Sequence, residues 1–264
     1  MLFKRDIEDF LATWKANKSR KPLILRGARQ VGKTTVVERF AHGFRNFVKL
    51  NLEIPSDAAA FRRGLTAGQV IEAIQLQKNI ALKPGASLLF IDEIQACPEA
   101  IALLRYFYEE YPDLHVIAAG SLLQTVLSDP VISFPVGRTE HAHMYPLSFH
   151  EYLRATGNGF ALDAYEKVPG PESAFGGLME LFHTYVKIGG MPEIVARHIE
   201  GADTETLRSL YQDLVIAFVN DVPKYARNPT LARVMRHCIE AGPHAAGERI
   251  KFEGFGQSNY KSRE

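Results

Sequence analysis

The stretch Gly27-Ala28-Arg29-Gln30-Val31-Gly32-Lys33-Thr34 follows an apolar run, residues 22–25, and leads into a helical pattern, residues 33–40. It fits the pattern GxxxxGK[ST] in the context that the pattern requires, a strand before it and a helix after it. Gly27 and Gly32 allow a tight loop whose successive amides point at phosphate groups, next to the positive end of the helix. The stretch therefore predicts the phosphate-binding loop of a nucleotide site.

The residues of this loop have different predicted roles. We expect Lys33 to contact the β- and γ-phosphates and to act in catalysis, and the hydroxyl of Thr34 to bind Mg²⁺. Arg29 occupies a variable position of the pattern, so it contacts either a phosphate or solvent or a partner. The predicted binding residues for the nucleotide, ATP, are Gly27, Ala28, Arg29, Gln30, Val31, Gly32, Lys33, Thr34 and Thr35.

A second hydrophobic run, residues 87–91, ends in the two acids Asp92 and Glu93. A buried parallel strand brings such acids to the carboxyl edge of the sheet, where Asp92 is predicted to hold Mg²⁺. Glu93 is then placed to polarise a water for attack on the γ-phosphate. The alternative is that the two acids only cap the helix that follows them.

Two further residues are candidate catalytic groups. Ser121 follows the apolar run 116–119, so it is predicted to emerge at the same edge of the sheet and to orient water or sense the γ-phosphate. The alternative for Ser121 is an N-cap for a helix over residues 122–127. Arg138 precedes the fifth predicted strand and is expected either to stabilise phosphoryl charge or to form a surface ion pair.

Apolar or β-branched runs alternate with helical patterns over the first part of the chain. Strands are predicted at residues 22–25, 47–52, 88–91, 116–119 and 139–145, and helices at 3–16, 33–40, 67–80 and 98–110. This alternation indicates a parallel sheet covered by helices on both faces. The predicted fold class is therefore α/β.

From residue 149 onward the pattern is helical only. Helices are predicted at residues 149–155, 174–188, 192–199, 204–225 and 230–241. The glycine- and proline-rich stretch 157–171 reads as the connection between an α/β unit and a helical unit. Residues 245–264 show no closing helix. The predicted divisions are a nucleotide-binding α/β core at residues 1–156, a helical unit at 157–243 and a third segment at 244–264.

The composition excludes several classes of protein. The chain has 264 residues and a formal net charge of +1, which provides no general attraction to nucleic acid or to an anionic membrane. No apolar run is long enough to span a bilayer, and the charged amino terminus does not resemble a signal peptide. Cys97 and Cys238 lack the spacing of zinc ligands. We expect a cytoplasmic protein without a membrane partner.

The order of these motifs resembles the AAA+ ATPases, and more narrowly a prokaryotic group close to their STAND-type branch. The resemblance covers nearly the whole chain. It rests on residues 25–35 and 89–95, on Ala119-Gly120-Ser121, on Gly137-Arg138, on Tyr145-Pro146-Leu147-Ser148-Phe149-His150-Glu151-Tyr152 and on Gly189-Gly190-Met191-Pro192-Glu193.

The resemblance implies a sheet of order 5-1-4-3-2 followed by a helical lid. It implies that Ser121 corresponds to sensor 1, that residues 189–192 lead the lid toward the nucleotide, and that adenine lies between the amino-terminal helix and the lid. Residues 252–263 are similar to the opening of a winged helix, so the chain is expected to be cut off there. AAA+ relatives often form rings, whereas STAND-like relatives can remain monomeric until they are activated, so the resemblance implies either a homo-oligomer or a monomer.

The motifs together predict Mg²⁺-dependent ATP binding and hydrolysis that drives a motor or a conformational switch. The adjacent acids at 92 and 93 argue against a small-molecule kinase, and no Asn-Lys-x-Asp segment is present to read guanine. The alternative from another class is a nucleotide-dependent module that binds DNA or a client protein and hydrolyses ATP negligibly. The sequence names no client.

Overall fold

The computed structural model describes residues 2–121, 137–224, 226, 228–251 and 254–257. The chain divides into two compact units, Met1–Val195 and Ala196–Glu264. The predicted functional division at residues 156 and 243 remains a prediction. Most of the segment that resembles a winged helix, residues 252–263, lies outside the described residues, as does the helix predicted at 122–127.

The first unit contains a sheet of five parallel strands. They are β1 (Leu23–Arg26), β2 (Asn46–Asn51), β3 (Ser87–Asp92), β4 (His115–Gly120) and β5 (Glu140–His143). Their spatial order is β2-β3-β4-β1-β5, and every pair is parallel. This confirms the predicted α/β class and the order 5-1-4-3-2. All five strands therefore end at one edge of the sheet, the carboxyl edge, and begin at the opposite amino edge.

Helices cover the sheet and follow it along the chain. Within the described part of the first unit they are α1 (Ile7–Ala16), α2 (Lys33–Ala41), α3 (Pro55–Ala58), α4 (Ala67–Lys78), α5 (Pro98–Glu110), α6 (Phe149–Ala155), α7 (Gly159–Glu166) and α8 (Phe175–Ile188), with α9 (Pro192–Ile199) at the boundary of the two units. None of the helices that the structure describes has the length and apolar character needed to cross a membrane.

Alternate strand residues face two separate hydrophobic layers. Leu23 and Leu25 of β1 pack in one layer with Leu11, Trp14 and Val37 from α1 and α2. Ile24, between them, packs in the other layer, which includes residues of α4 and α5. Because side chains alternate along a strand, a strand buried on both faces reads as a continuous apolar run. This explains why β1, β3 and β4 were predictable from the sequence.

The second unit contains two long helices, α10 (Thr204–Asp221) and α11 (Pro229–Ala241). Each begins at a side-chain cap: Asp203 accepts from the amide of Thr206 at 2.8 Å, and Asn228 accepts from the amide of Leu231 at 2.8 Å. Capping by Asp and Asn satisfies amides that have no partner within the first turn. Helix α11 agrees with its predicted range, 230–241, to within one residue, whereas α10 ends four residues before the predicted end at residue 225.

The predicted connection at residues 157–171 includes a helix that was not among the predicted elements. It contains helix α7, whose first turn is capped by Asn158 through a bond to the amide of Ala161 at 3.1 Å. The glycines and prolines lie at the ends of this helix and leave its interior free of breakers. The prediction used the number of glycines and prolines in the stretch and not their positions, so the helix was missed. Helix α3 is also absent from the predicted elements, because four residues are too few to show helical periodicity.

Candidate functional site

The predicted phosphate-binding loop joins β1 to α2 at the carboxyl edge of the sheet. Residues 27–32 form the loop, and Lys33, Thr34 and Thr35 form the first turn of α2. Gly32 occupies the N-cap position with φ 95°, and it has no side chain to accept the first amides of α2. The helix therefore begins with amides that point out of the loop, which is the arrangement that binds phosphate.

Gly27 is required by a close approach of two backbone segments. A Cβ at this position would lie 2.2 Å from the carbonyl oxygen of Met144, which follows β5. The amide of Met144 donates to the carbonyl of Arg26 at 2.7 Å, so the two segments are held together at the start of the loop. Any side chain at position 27 would push the loop away from the sheet.

Lys33 points back into the loop that precedes it. Its ammonium donates to the carbonyl oxygens of Gly27 at 2.9 Å and Ala28 at 2.8 Å, and the residue is 7% exposed. Burial lowers the pKa of this ammonium, and the nearby carboxylates of Glu93 and Asp92 oppose that shift. The structure thus brings Lys33 together with both acids of β3, although they are far apart in sequence.

The hydroxyl of Thr34 donates to Oδ2 of Asp92 at 2.7 Å. This bond joins the first turn of α2 to the end of β3. Asp92 is 6% exposed, and its other carboxylate oxygen, Oδ1, accepts from the amide of Glu93 at 3.1 Å. A hydroxyl and a carboxylate oxygen side by side are the oxygen donors that Mg²⁺ prefers, so this pair fits the predicted ion.

Glu93 leaves the strand in a left-handed conformation, with φ 52° and ψ 44°. This conformation is unusual for a residue with a side chain and turns the chain sharply at the carboxyl edge. The carboxylate of Glu93 accepts a hydrogen bond from the amide group of Gln95 at 2.5 Å. Strained backbone of this kind is common at functional sites.

Ser121 lies at the same edge as the loop. Arg26 of β1 pairs with Gly120 of β4, so Ser121 follows β4 at the level where Gly27 follows β1. The predicted cap for residues 122–127 falls on residues outside the described part of the chain. Arg29 lies within the loop, and its charge contributes to lowering the pKa of Lys33.

The structure does not bring Arg138 to the loop. Arg138 precedes β5, and β5 begins beside Leu23, at the amino edge of the sheet. The loop lies beyond the other end of β1, roughly 13 Å away for a strand of this length. The guanidinium instead donates to Glu109 at 2.9 Å, and hydrogen bonds from Arg138 and then Arg105 lower the pKa of Glu109. This arrangement is the surface ion pair that was the second of the two roles expected for Arg138.

A buried ion pair beneath the loop was absent from the sequence predictions. Nε of Arg5 donates to Glu151 at 2.9 Å, and its two terminal nitrogens donate to the carbonyls of Val31 at 2.9 Å and Tyr145 at 2.7 Å. Arg5 is 4% exposed and Glu151 5% exposed. The pair therefore joins the amino-terminal segment, the phosphate-binding loop and α6.

One half of this ion pair had a readable signal. Glu151 stands three residues after Ser148, which is the spacing of a capping box. Its carboxylate accepts from the amides of Ser148 at 2.9 Å and Asp6 at 2.8 Å as well as from Arg5. The partnership with Arg5 spans nearly 150 residues of chain, and no local pattern reports a contact of that separation.

The turn at Gly189-Gly190-Met191-Pro192 contacts the segment that follows β5. The amide of Leu147 donates to the carbonyl of Gly190 at 2.6 Å, and a Cβ on Gly190 would lie 2.1 Å from the carbonyl oxygen of Leu147. The hydroxyl of Tyr185 donates to that same carbonyl at 2.8 Å. Met191 packs against the layer that contains Val31 and Met144. Gly190 is thus required by a backbone contact.

Comparisons with known proteins agree with this geometry. The model of a family described as "AAA domain" matches residues 19–153, just over half of the chain. Comparison with curated protein sequences gives no match. Among solved structures, the chain is similar to the Walker-type ATPase PABY2304 of Pyrococcus abyssi, with a TM-score of 0.56 and 18% identity over 95% of this chain and 86% of that one.

The similarity to the Pyrococcus abyssi structure is a similarity of fold alone, since the identity between the two chains is low. The family match covers the phosphate-binding loop, both acids of β3, Ser121 and Glu151. The chain therefore belongs to the AAA domain family, and it is an AAA-like P-loop ATPase in its architecture.

Proposed function

We propose that this protein binds ATP with Mg²⁺ and hydrolyses it. The observation that carries the proposal is the 2.7 Å hydrogen bond between Thr34 and Asp92, because it joins the phosphate-binding turn to the acidic end of β3. Glu93 follows Asp92 directly and is half-buried beside the same edge. Membership of the AAA domain family supports ATP as the nucleotide.

The residues have separate tasks in this proposal. The amides of residues 27–34 bind the phosphates, and Lys33 turns its ammonium from the loop carbonyls to the β- and γ-phosphates. Thr34 and Asp92 hold Mg²⁺, which supplies charge neutralisation of the phosphates when bound. Glu93 accepts a proton from the attacking water. Ser121 senses the γ-phosphate.

Hydrolysis is proposed to act as a conformational switch. The difference between bound ATP and ADP is the γ-phosphate, and in this proposal Ser121, which follows β4 at the carboxyl edge, responds to it. Residues 157–243 are the proposed lid, and the Gly190 turn is its connection to the loop region. The same proposal has three further parts. The protein belongs to the STAND-like branch, it forms a homo-oligomer, and its client is either a protein or DNA.

Glu93→Gln tests the hydrolytic part. We expect this variant to bind ATP with the affinity of the parent and to lose turnover by a factor of about 100 or more, because an amide accepts no proton. Glu72→Gln, an exposed glutamate of α4, serves as the matched control and should hydrolyse ATP at the parental rate. Binding is measured by titration with a fluorescent ATP analogue and turnover by phosphate release.

Two results would overturn the proposal. Equal turnover in the parent and in Glu93→Gln means that Glu93 is not the base. Tight ATP binding without phosphate release in the parent means that the chain is a nucleotide-dependent binding module, and retention on DNA or on a protein would then be measured with ATP present. Salt dependence of that retention separates DNA from a protein partner.

A further inference from the structure

Gln95 lies two residues beyond Glu93, in a single helical turn formed by Ile94–Ala96. The amide of Ala96 donates to the carbonyl of Glu93 at 2.9 Å and closes this turn. Ile94 between them is fully buried in the hydrophobic layer under β3. The buried isoleucine anchors the turn, so the side chains of residues 93 and 95 are held on its opposite, half-buried side.

The side-chain amide of Gln95 donates from Nε2 to Oε2 of Glu93 at 2.5 Å. A hydrogen bond to an ionised carboxylate is shorter and stronger than one between neutral groups. It also selects the orientation of the amide, because the reverse orientation would place the carbonyl oxygen of Gln95 against the carboxylate. The bond therefore constrains both side chains.

The carbonyl oxygen of the Gln95 side chain, Oε1, shows what determines the orientation of this amide. Oε1 of Gln95 is buried and has no hydrogen-bond partner within the described parts of the chain. A buried acceptor without a partner is costly, and a freely rotating amide would turn to satisfy it. The glutamine stays in this orientation because its donor is committed to Glu93. The hydrogen bond to the carboxylate of Glu93 thus determines the orientation of the Gln95 amide.

We infer that Gln95 is a positioning residue for Glu93, holding one carboxylate oxygen so that the other faces the attacking water; this inference rests on the proposed hydrolysis of ATP. A glutamate side chain has three rotatable bonds, and its carboxylate samples several positions unless a partner restrains it. The bond occupies Oε2 and leaves Oε1 of Glu93 as the atom that takes the proton. A misplaced base slows proton transfer without weakening the contacts to phosphate.

Two variants separate positioning from packing. Gln95→Ala removes the side chain, and Gln95→Glu keeps its shape while replacing the donor with an acceptor that repels Glu93. We expect both to lower kcat for ATP by about 10-fold or more, the loss typical of one hydrogen bond to a charged group, with KM changed less than about twofold. Gln69→Ala, which removes an exposed capping glutamine of α4, is the control and should keep the parental kcat.

Each outcome decides the inference. If Gln95→Glu hydrolyses ATP as fast as the parent, the donor is dispensable and the inference is wrong, while turnover lost in Glu93→Gln still supports the proposed function. If the ATP affinity of Gln95→Ala, measured with a fluorescent analogue, falls as much as its kcat, the role is structural and positioning is refuted. If the parent releases no more phosphate than Glu93→Gln, the proposed function fails and this inference fails with it.

Discussion

The two edges of the parallel sheet carry charged side chains in different environments. At the carboxyl edge, Lys33 and Asp92 are almost fully buried and are bonded to the backbone and to Thr34. At the amino edge, Arg138 and Glu109 form an ion pair whose side chains are 45% and 31% exposed. Both edges look equally polar in the sequence.

The difference separates a buried polar site from a solvated ion pair. Burial strengthens every electrostatic interaction at the carboxyl edge and makes an unpaired group there costly. Water screens the pair at the amino edge, so losing it costs little. Charge alone therefore does not identify a site, and the comparison can be tested with substitutions at each edge.

The largest effect is expected at the buried ion pair of the carboxyl edge. Arg5→Ala leaves the carboxylate of Glu151 buried without its guanidinium and should lower the free energy of unfolding by about 3–5 kcal/mol. Denaturant unfolding monitored by the fluorescence of Trp14 measures this change. Arg154→Ala, which breaks the more exposed pair with Asp6, is the matched control, and an equal loss in both variants would remove burial as the explanation.

A second large effect is expected on nucleotide affinity. Lys33→Met removes the ammonium from the loop and should weaken ATP binding by about 100-fold, which corresponds to about 2.7 kcal/mol. Lys49→Met, on β2, removes a half-buried lysine that pairs with Glu38 away from the loop and should leave the affinity unchanged. Titration with a fluorescent ATP analogue checks both variants. Parental affinity in Lys33→Met would show that the loop does not bind phosphate through this residue.

A smaller effect concerns a buried group at the amino edge. His115 begins β4 and is 4% exposed, and burial, followed by the charge of Arg20, lowers the pKa of its imidazole to about 4. The unfolded chain takes up this proton near pH 6.5, whereas the folded chain does so near pH 4. Stability should therefore decrease as the pH falls through this window, by up to about 1 kcal/mol per pH unit.

His115→Phe tests that pH dependence against the same background of other titrating groups. The ring of His115 lies between Trp14 and Phe44, with centroid distances of 5.7 and 4.8 Å, so an aromatic replacement keeps the packing. As the pH falls from 6.5 to 4, the parent should lose unfolding free energy that the variant keeps. The unfolding free energy of the variant minus that of the parent should therefore increase over this range. A difference that is constant over this range would mean that His115 does not titrate on unfolding.

The smallest effect is expected at the exposed pair. Arg138→Ala should leave both the unfolding midpoint and the rate of ATP hydrolysis unchanged, because the guanidinium lies at the edge away from the loop. Turnover is to be measured over a range of protein concentrations. A loss of turnover that depends on concentration would instead show that Arg138 acts on the loop of a neighbouring subunit.

Local patterns were sufficient for much of the candidate site. The loop at Gly27–Thr34 and the acids Asp92 and Glu93 were readable because each motif is continuous in sequence and flanked by a recognisable strand. Gln95 ends the segment 89–95 on which the resemblance rests, but no role was predicted for it, because a glutamine near two acids indicates no particular chemistry. The charge of Arg138 was evident from the sequence, but the sequence did not show that this residue lies at the amino edge of the sheet.

The sequence by itself determined the alternation of strands and helices, the phosphate-binding loop and the acidic strand end, because periodicity and motif are properties of neighbouring residues. Only the tertiary structure decided that Thr34 bonds Asp92, that Arg5 pairs with Glu151 beneath the loop, and that Arg138 lies at the far edge. Those contacts join residues that are distant along the chain. Their geometry depends on how the whole sheet and its helices pack, and no short stretch of sequence encodes it.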